Sequence, residues 1–255
     1  MLDVLERTFR RRFATLISQQ RADLVRRYEI VGEVPGLSET NAMQTAQVYQ
    51  DLARASARTF GRRIITRGKS DGLVETKEEP GFWEQFFNDL SAAWAQNELI
   101  RQRIVSVTET TRAQIVAEVA KGLDEGLSID SIAKAITERT PAISRWRGAL
   151  IARTETHGAA NFAMQKTAKE TGLDLVKEWV STEDHRTRRI TGKDPDQFDH
   201  VSMDGQTRAM DDAFDMPRLG GGAIKIMYPG EAGLPGGATI NCRCAIVHSL
   251  ADDVD

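Results

Sequence analysis

The chain has 255 residues, 40% hydrophobic and 28% charged, a balance that excludes wholesale disorder and leaves room for one large domain or two small ones. There is no run of 18 or more apolar residues, and the opening MLDVLERTFRRRF is an amphipathic helical pattern rather than an apolar signal, so the expectation is a soluble protein made in a cytosol, with no membrane partner. The net charge of −3 conceals an asymmetry: the first 70 residues carry 13 Lys and Arg against 7 Asp and Glu, and the remainder 21 against 30.

In chain order, Leu5, Phe9, Phe13, Leu16 and Leu24 recur at helical spacing over residues 2 to 29, and a weaker, Ala-rich stripe does so over 40 to 66. Arg10, Arg11 and Arg12 cluster on the first of these helices. Arg54, Arg58 and Arg62 recur every fourth residue on the second, a stripe that suits double-stranded DNA phosphates or an acidic partner, or else a solvated face. The polar stretch from Arg67 to Gly81 reads as a loop, with a boundary near 68 to 80. Trp83, Phe86, Phe87, Leu90 and Trp94, then Ile104, Ile115 and Val119, predict one long helix or two in line, an aromatic cluster suited to a core or a protein interface. Ser128 is placed to cap a short helix that Pro141 closes, and a further helix follows from about 143 and stops at Gly172.

After Gly172 the period changes to two. Leu173 to Val180 and Ile240 to Val247 read as strands, and the Gly-, Asp- and Pro-rich residues between them as hairpins and long loops. His200 to Phe214, around the Asp204–Gly205 turn, reads as a hairpin. The predicted class is α+β, mostly helical: a helical N-terminal region (1–80), a helical lead-in (81–142), an α+β core built on a small antiparallel sheet with long loops (143–250), and an acidic tail (251–255).

Cys242 and Cys244 exclude a disulfide scaffold, and a bridge between positions two apart would be strained. On a strand, both thiolates would face one side, and a histidine from another loop would complete three soft ligands for zinc. His200 is the first candidate, with His185, His248 or Asp184 as further ones; two packed, buried cysteines are the alternative. Arg153 and Glu155, with Asp184, Arg186 and Arg188, suit a structural network of Arg–carboxylate pairs fixing helix on sheet. The Arg and Glu of an ADP-ribosyltransferase pocket is the sharper alternative, but no second Glu stands two residues from another in a plausible catalytic strand. No catalytic residue is assigned. The glycines at 219 to 223 lack the Lys-Ser/Thr of a phosphate-binding loop.

IARTETHGAANFAM from Ile151, EWVSTEDHRTRR, HVSMDGQTRAMDDAF, YPG and INCRC follow one another in order. Together they resemble the Mu F-like head-morphogenesis family, the minor head proteins of tailed phages. VTETTRAQIVAEVAKGLDEGLSIDSIAKAI is similar to that family's helical lead-in, so the resemblance spans residues 100 to 248, and the first 80 residues carry none. ITGKDPDQFD separates the Arg-rich segment from His200, a longer gap than the family's, which leaves His200 and His185 both open as the family histidine.

The resemblance implies a non-enzymatic minor capsid protein in the capsid interior near the portal, made in the host cytoplasm. Its partners would be the portal protein and the major capsid protein, and its role would lie in procapsid assembly and in DNA packaging or ejection. Two rivals are kept: a metal-dependent enzyme or phage-delivered toxin using His200 and the two cysteines, and a non-specific DNA-binding internal head protein using Arg54, Arg58 and Arg62.

Overall fold

In the computed structural model the described residues are 1–36, 38–72 and 81–253. Helices α1 (Leu2–Val31), α2 (Glu39–Ser56), a π-helical turn (Ala57–Gly61), α3 (Arg62–Ser70), α4 (Phe82–Gln96), α5 (Glu98–Asp124) and α6 (Ile129–Glu170) come first. Strands β1 (Leu175–Val180), β2 (Thr207–Ala209), β3 (Phe214–Pro217) and β4 (Ala223–Ile226) follow, then the helical turn α7 (Gly236–Thr239) and strand β5 (Ala245–Leu250). The chain is α+β and mostly helical, as its periodicities predict. It divides into two compact units: Asp3–Asp51 with Ala95–Ala152, and Leu52–Trp94 with the chain from Arg153 onward.

The first unit is all helix. On α5, Ile100, Ile104, Thr108, Thr111, Ile115 and Val119 are buried at steps of three and four, the spacing that lines one helical face. Ile115 and Val119 pack with Leu24, Val25 and Tyr28 of α1 and Ile132, Ala133 and Ile136 of α6. Asn97 separates α4 from α5 by taking the Leu99 N–H at 2.9 Å, so of the two predicted alternatives, one long helix or two, the chain forms two. At the other end of α5, Gly126 adopts φ 71 and the Leu127 N–H reaches the Gly122 carbonyl at 2.9 Å, a left-handed cap that stops the helix. Ser128 caps α6 as expected, accepting the Ser131 N–H at 3.3 Å.

Pro141 does not close a helix, because α6 runs through it from Ile129 to Glu170. Proline removes one backbone donor and crowds the carbonyl four residues back, and flanking burial at Ile132, Ile136, Ser144 and Arg147 holds the helix across that defect. The polar stretch after Arg67 is not all loop, since α3 continues to Ser70; the rest of the expected linker, residues 73 to 80, lies outside the described residues.

In the second unit β1 is the centre of a three-stranded antiparallel sheet of order β2-β1-β5, and β3 and β4 form a separate hairpin. Thus 200 to 214 is not a hairpin closed on itself: its strand β2 pairs with β1. Trp179, Phe198, Met203, Phe214, Met216, Ile226, Cys242, Cys244 and Ile246 make the main core of this unit. Phe87 of α4 is buried in a second cluster with Ala57, Ile65 and Ala163, against which Trp83, Phe86 and Leu90 pack. Gly158 of α6 lies against Gly230, where an added Cβ would meet the Gly230 carbonyl at 2.9 Å, so the helix and the loop after β4 meet backbone to backbone.

Candidate metal centre

The segment Asn241–Cys244 is not part of a strand, contrary to expectation, because β5 begins at Ala245. It is a turn made by α7 and by Asn241, which holds φ 60, a left-handed conformation that Asn tolerates better than most residues. Side chains from three earlier motifs, those carrying Arg153 to Asn161, Asp184 to Arg188 and His200, converge on these four residues and on the adjoining Ile240. Thr154 Oγ1 accepts the Asn241 N–H at 2.9 Å, and Arg153 donates to the Asn241 side-chain carbonyl at 3.0 Å. Arg188 donates to the Ile240 carbonyl at 2.6 Å, and its own carbonyl accepts the His200 N–H at 2.9 Å. Asp184 grips Arg243 through two bonds of 2.7 and 2.6 Å and also accepts from Arg186 at 3.1 Å. These guanidiniums, Arg243 first, hold the Asp184 carboxyl well below the usual carboxylate range.

Asn161 and Arg243 are the residues that sequence reasoning missed. Asn161 is buried on α6; its amide donates to the carbonyls of His157, Pro229 and Cys244 at 3.0, 3.1 and 3.2 Å, and its carbonyl accepts the Ile246 N–H at 3.1 Å. The available signal was a polar ladder at steps of four along α6, Arg153, His157, Asn161 and Gln165.

Inside this frame His200, Cys242 and Cys244 come together, all buried, with their ligand atoms within 4.8 Å of one another. His200 Nδ1 lies 3.6 Å from each sulfur. Its Nε2 faces the Gly237 carbonyl at 3.4 Å, a contact that suits a proton on Nε2 and leaves Nδ1 for the sulfurs. Cys242 is pulled well below the ordinary thiol value, first by its hydrogen bond with Cys244 and then by His200; Cys244 is pushed up by the same bond and by burial. The Trp179 indole N–H is buried and has no hydrogen-bond partner among the described residues. Two thiols sharing protons and an imidazole nitrogen aimed at both are a donor set that suits a thiophilic divalent metal such as zinc.

The further ligand candidates stand outside this group. Asp184 is engaged by Arg243, and His185 is exposed in the turn beside it. His248 sits on β5 opposite Lys177, with Nε2 buried and unpartnered among the described residues. Burial, then the Lys177 charge, pushes His248 down to about 4. Lys177 is itself buried, donating to the Met227 carbonyl at 2.9 Å, and burial lowers it to about 8.

In the basic stripe, Arg58 and Arg62 both pair with Glu84 of α4, the first at 3.2 Å. The intervening π turn breaks the regular four-residue stacking on which the stripe was predicted. No helix among the described residues is long and apolar enough to cross a membrane.

The family model described as Phage Mu protein F like protein matches residues 113–247. Among curated proteins, the chain is similar to the NAD(+)--arginine ADP-ribosyltransferase EFV of Enterococcus faecalis (strain ATCC 700802 / V583), with 23% identity over 238 residues. That alignment takes in 89% of this chain and 44% of the relative, so the chain spans less than half of the relative's length. No solved structure matches.

Proposed function

The chain belongs to the Phage Mu protein F like family, a family of phage head morphogenesis, and from that premise we propose that it is a minor capsid protein held at the portal of a tailed phage or phage-like particle. It would be made in the host cytoplasm, enter the procapsid with the portal and major capsid proteins, and stay inside the virion. Residues 143 to 250 would be the rigid core, and residues 1 to 80 the part that reaches portal, shell or DNA. The observation that carries this reading is the convergence of the family's ordered motifs on Asn241–Cys244, which makes them parts of one folded node. Particles purified to homogeneity are expected to contain the chain in few copies, crosslinked to the portal. Its absence from assembled heads would overturn the assignment.

The same node would hold zinc through His200, Cys242 and Cys244. The ion would supply a strong cross-link between the loop carrying His200 and the turn before β5, in a unit whose sheets are short. His200 is 2%, Cys242 3% and Cys244 2% exposed, and burial of the donors supports a structural ion over one that activates water. Zinc that exchanges readily with solvent ligands would favour the enzymatic rival instead.

The ADP-ribosyltransferase named among the relatives gives a second reading. More than half of that relative has no counterpart here, and Glu155 is buried on α6 within the node's own helix. We assign the shared segment to the head-protein module and the transferase chemistry to the remainder of the relative. Incubation of this chain with NAD+ and an arginine-rich acceptor should give no transfer above a blank; turnover would reverse the assignment. The basic stripe supports DNA contact less well, because Arg58 and Arg62 are paired. Steeply salt-dependent binding lost on replacing Arg54, Arg58 and Arg62 would restore it.

A further inference from the structure

The outward face of α1 changes character along its length. Arg7, Arg11, Thr15, Ser18, Ala22 and Glu29 recur at steps of three, four and seven, so they fall on one side of the helix, and all are exposed except the half-buried Ser18. The two arginines come first, small side chains fill the middle, and the far end carries Glu29 and, just beyond the helix, Glu33. Arg26 and Arg27, near that acidic end, are both engaged by Asp23, at 2.7 and 3.7 Å. Large apolar side chains stand in solvent at both ends, Val4 at one and Ile30 and Val31 at the other, each more than half exposed.

The middle of this face is also one wall of an open cleft of about 450 Å³, lined by Ala14, Thr15, Ser18 and Ala22 of α1 and by Pro141 and Ser144 of α6. The two helices run antiparallel: an added Cβ at Gly148 would meet the Ala14 nitrogen at 2.6 Å, and Arg21 Nε donates to Thr140 Oγ1 at 3.0 Å. Ser144 lies midway between these two contacts and therefore level with Ser18. Its hydroxyl is buried, lines the cleft and has no partner among the described residues. A groove walled by small side chains, with a buried hydroxyl in it, is room for a closely packed helix that brings a hydrogen-bonding group.

A helix face that is basic at its start and acidic at its end is complementary to itself when a second copy lies antiparallel to it. We propose that the outward face of α1 and the α1–α6 cleft form an isologous dimer interface, occupied by the antiparallel α1 of a second copy of this chain. With the two-fold axis at Ser18, Arg7 of one copy meets Glu29 of the other, Ala14 meets Ala22, and Val4 meets the end that carries Ile30 and Val31. Each of these pairs occurs twice. The Ser144 hydroxyl of one copy then faces the polar side chains of Ser18 and Gln19 in the other. From Arg7 to Glu29 the contact runs about 33 Å at the helical rise. A parallel arrangement would instead set Arg7 against Arg7 and Glu29 against Glu29.

The test is analytical ultracentrifugation of the full chain. The wild type should pass from one copy to two within a range of about 1 to 100 μM. Arg7→Glu or Glu29→Arg alone sets like charges together twice per dimer and should weaken association about tenfold, and the double variant should recover most of that loss. Both side chains are exposed, so these variants should keep the fold. Ser18→Cys brings one thiol from each copy to the two-fold axis and should give a disulfide-linked pair, with molecular oxygen as the oxidant; Thr8→Cys, away from the axis, should give none. A wild-type chain that stays single at concentrations on the order of 100 μM would overturn the proposal and leave this face to a different partner. Association indifferent to both charge reversals, or a linked pair from Thr8→Cys and none from Ser18→Cys, would overturn the antiparallel α1 contact.

Discussion

The two units of this molecule are held together by different physics. In the helical unit, backbone groups are satisfied within the helices, and stability comes from apolar stripes on α1, α5 and α6 closing on one another. In the α+β unit, strands β2, β3 and β4 are only three or four residues long, and much of the chain between β1 and β5 is loop. Its loops are tied by side chains that bond to backbone: Thr154, Asn161, Arg188 and Lys177 each do so. A packed helical bundle loses stability gradually as apolar contacts are removed. A unit organised around a few polar nodes should lose it in large steps when one node fails.

The largest step should come from the His/Cys group. On chelation of zinc, or in Cys244→Ser, hydrogen exchange should rise across 175–250 and the melting midpoint of that unit should fall by roughly 10 °C or more. Amides of α1 and α5 should keep their protection; if they exchange equally, the two units are one cooperative body and the contrast fails.

Leu24→Ala is the converse experiment. Leu24 is fully buried in the helical core, so the cost should be about 2–5 kcal/mol. Chemical denaturation monitored in α1 should show that loss, with zinc affinity unchanged. In the α+β unit, Asn161→Ala strips partners from the Pro229 and Cys244 carbonyls and the Ile246 N–H. It should cost about 2–4 kcal/mol, although the side chain removed is polar and smaller than leucine. A loss below about 0.5 kcal/mol would show that water takes over these bonds.

The smallest effect is a pH dependence. Burial holds His248 at about 4 against its ordinary 6.5, so between these values the unfolded chain binds the extra proton. Stability in the metal-free chain should therefore rise from pH 4 to 6.5, and fall on acidification through that window by on the order of 2 kcal/mol. His248→Gln should flatten this slope relative to the wild type, as read from denaturation midpoints at each pH. An unchanged slope would mean that His248 is charged in the folded state.

The helical unit was the more legible of the two. The spacing of Phe9, Phe13, Leu16 and Leu24, and of Ile104, Ile115 and Val119, gave α1 and α5 directly, because a helix that buries one face records it at period 3.6. What local pattern hid was the continuity of α6. Pro141 is a local stop signal, and only packing on both sides of it decides that the helix continues. The π turn at Ala57–Gly61 has no comparable mark in the sequence.

In the α+β unit the three donors His200, Cys242 and Cys244 were readable from residue type, but the reason offered, alternation on a strand, was not how they meet. They converge because Asn241 turns the chain and because Arg188 and Asp184 fix the loop and the turn. The role of Arg243 as the partner of Asp184 depends on a contact 59 residues distant in sequence, which no local period records.

The proposed metal-stapled node is tested by elemental analysis of the full chain purified in zinc-containing medium, beside His200→Asn, Cys242→Ser and Cys244→Ser. One equivalent of zinc in the wild type, lost in all three variants while the far-ultraviolet helix signal is kept, is the predicted result. A wild-type chain that carries no zinc, or a variant that retains it, would contradict the account and leave the two cysteines as packed core residues.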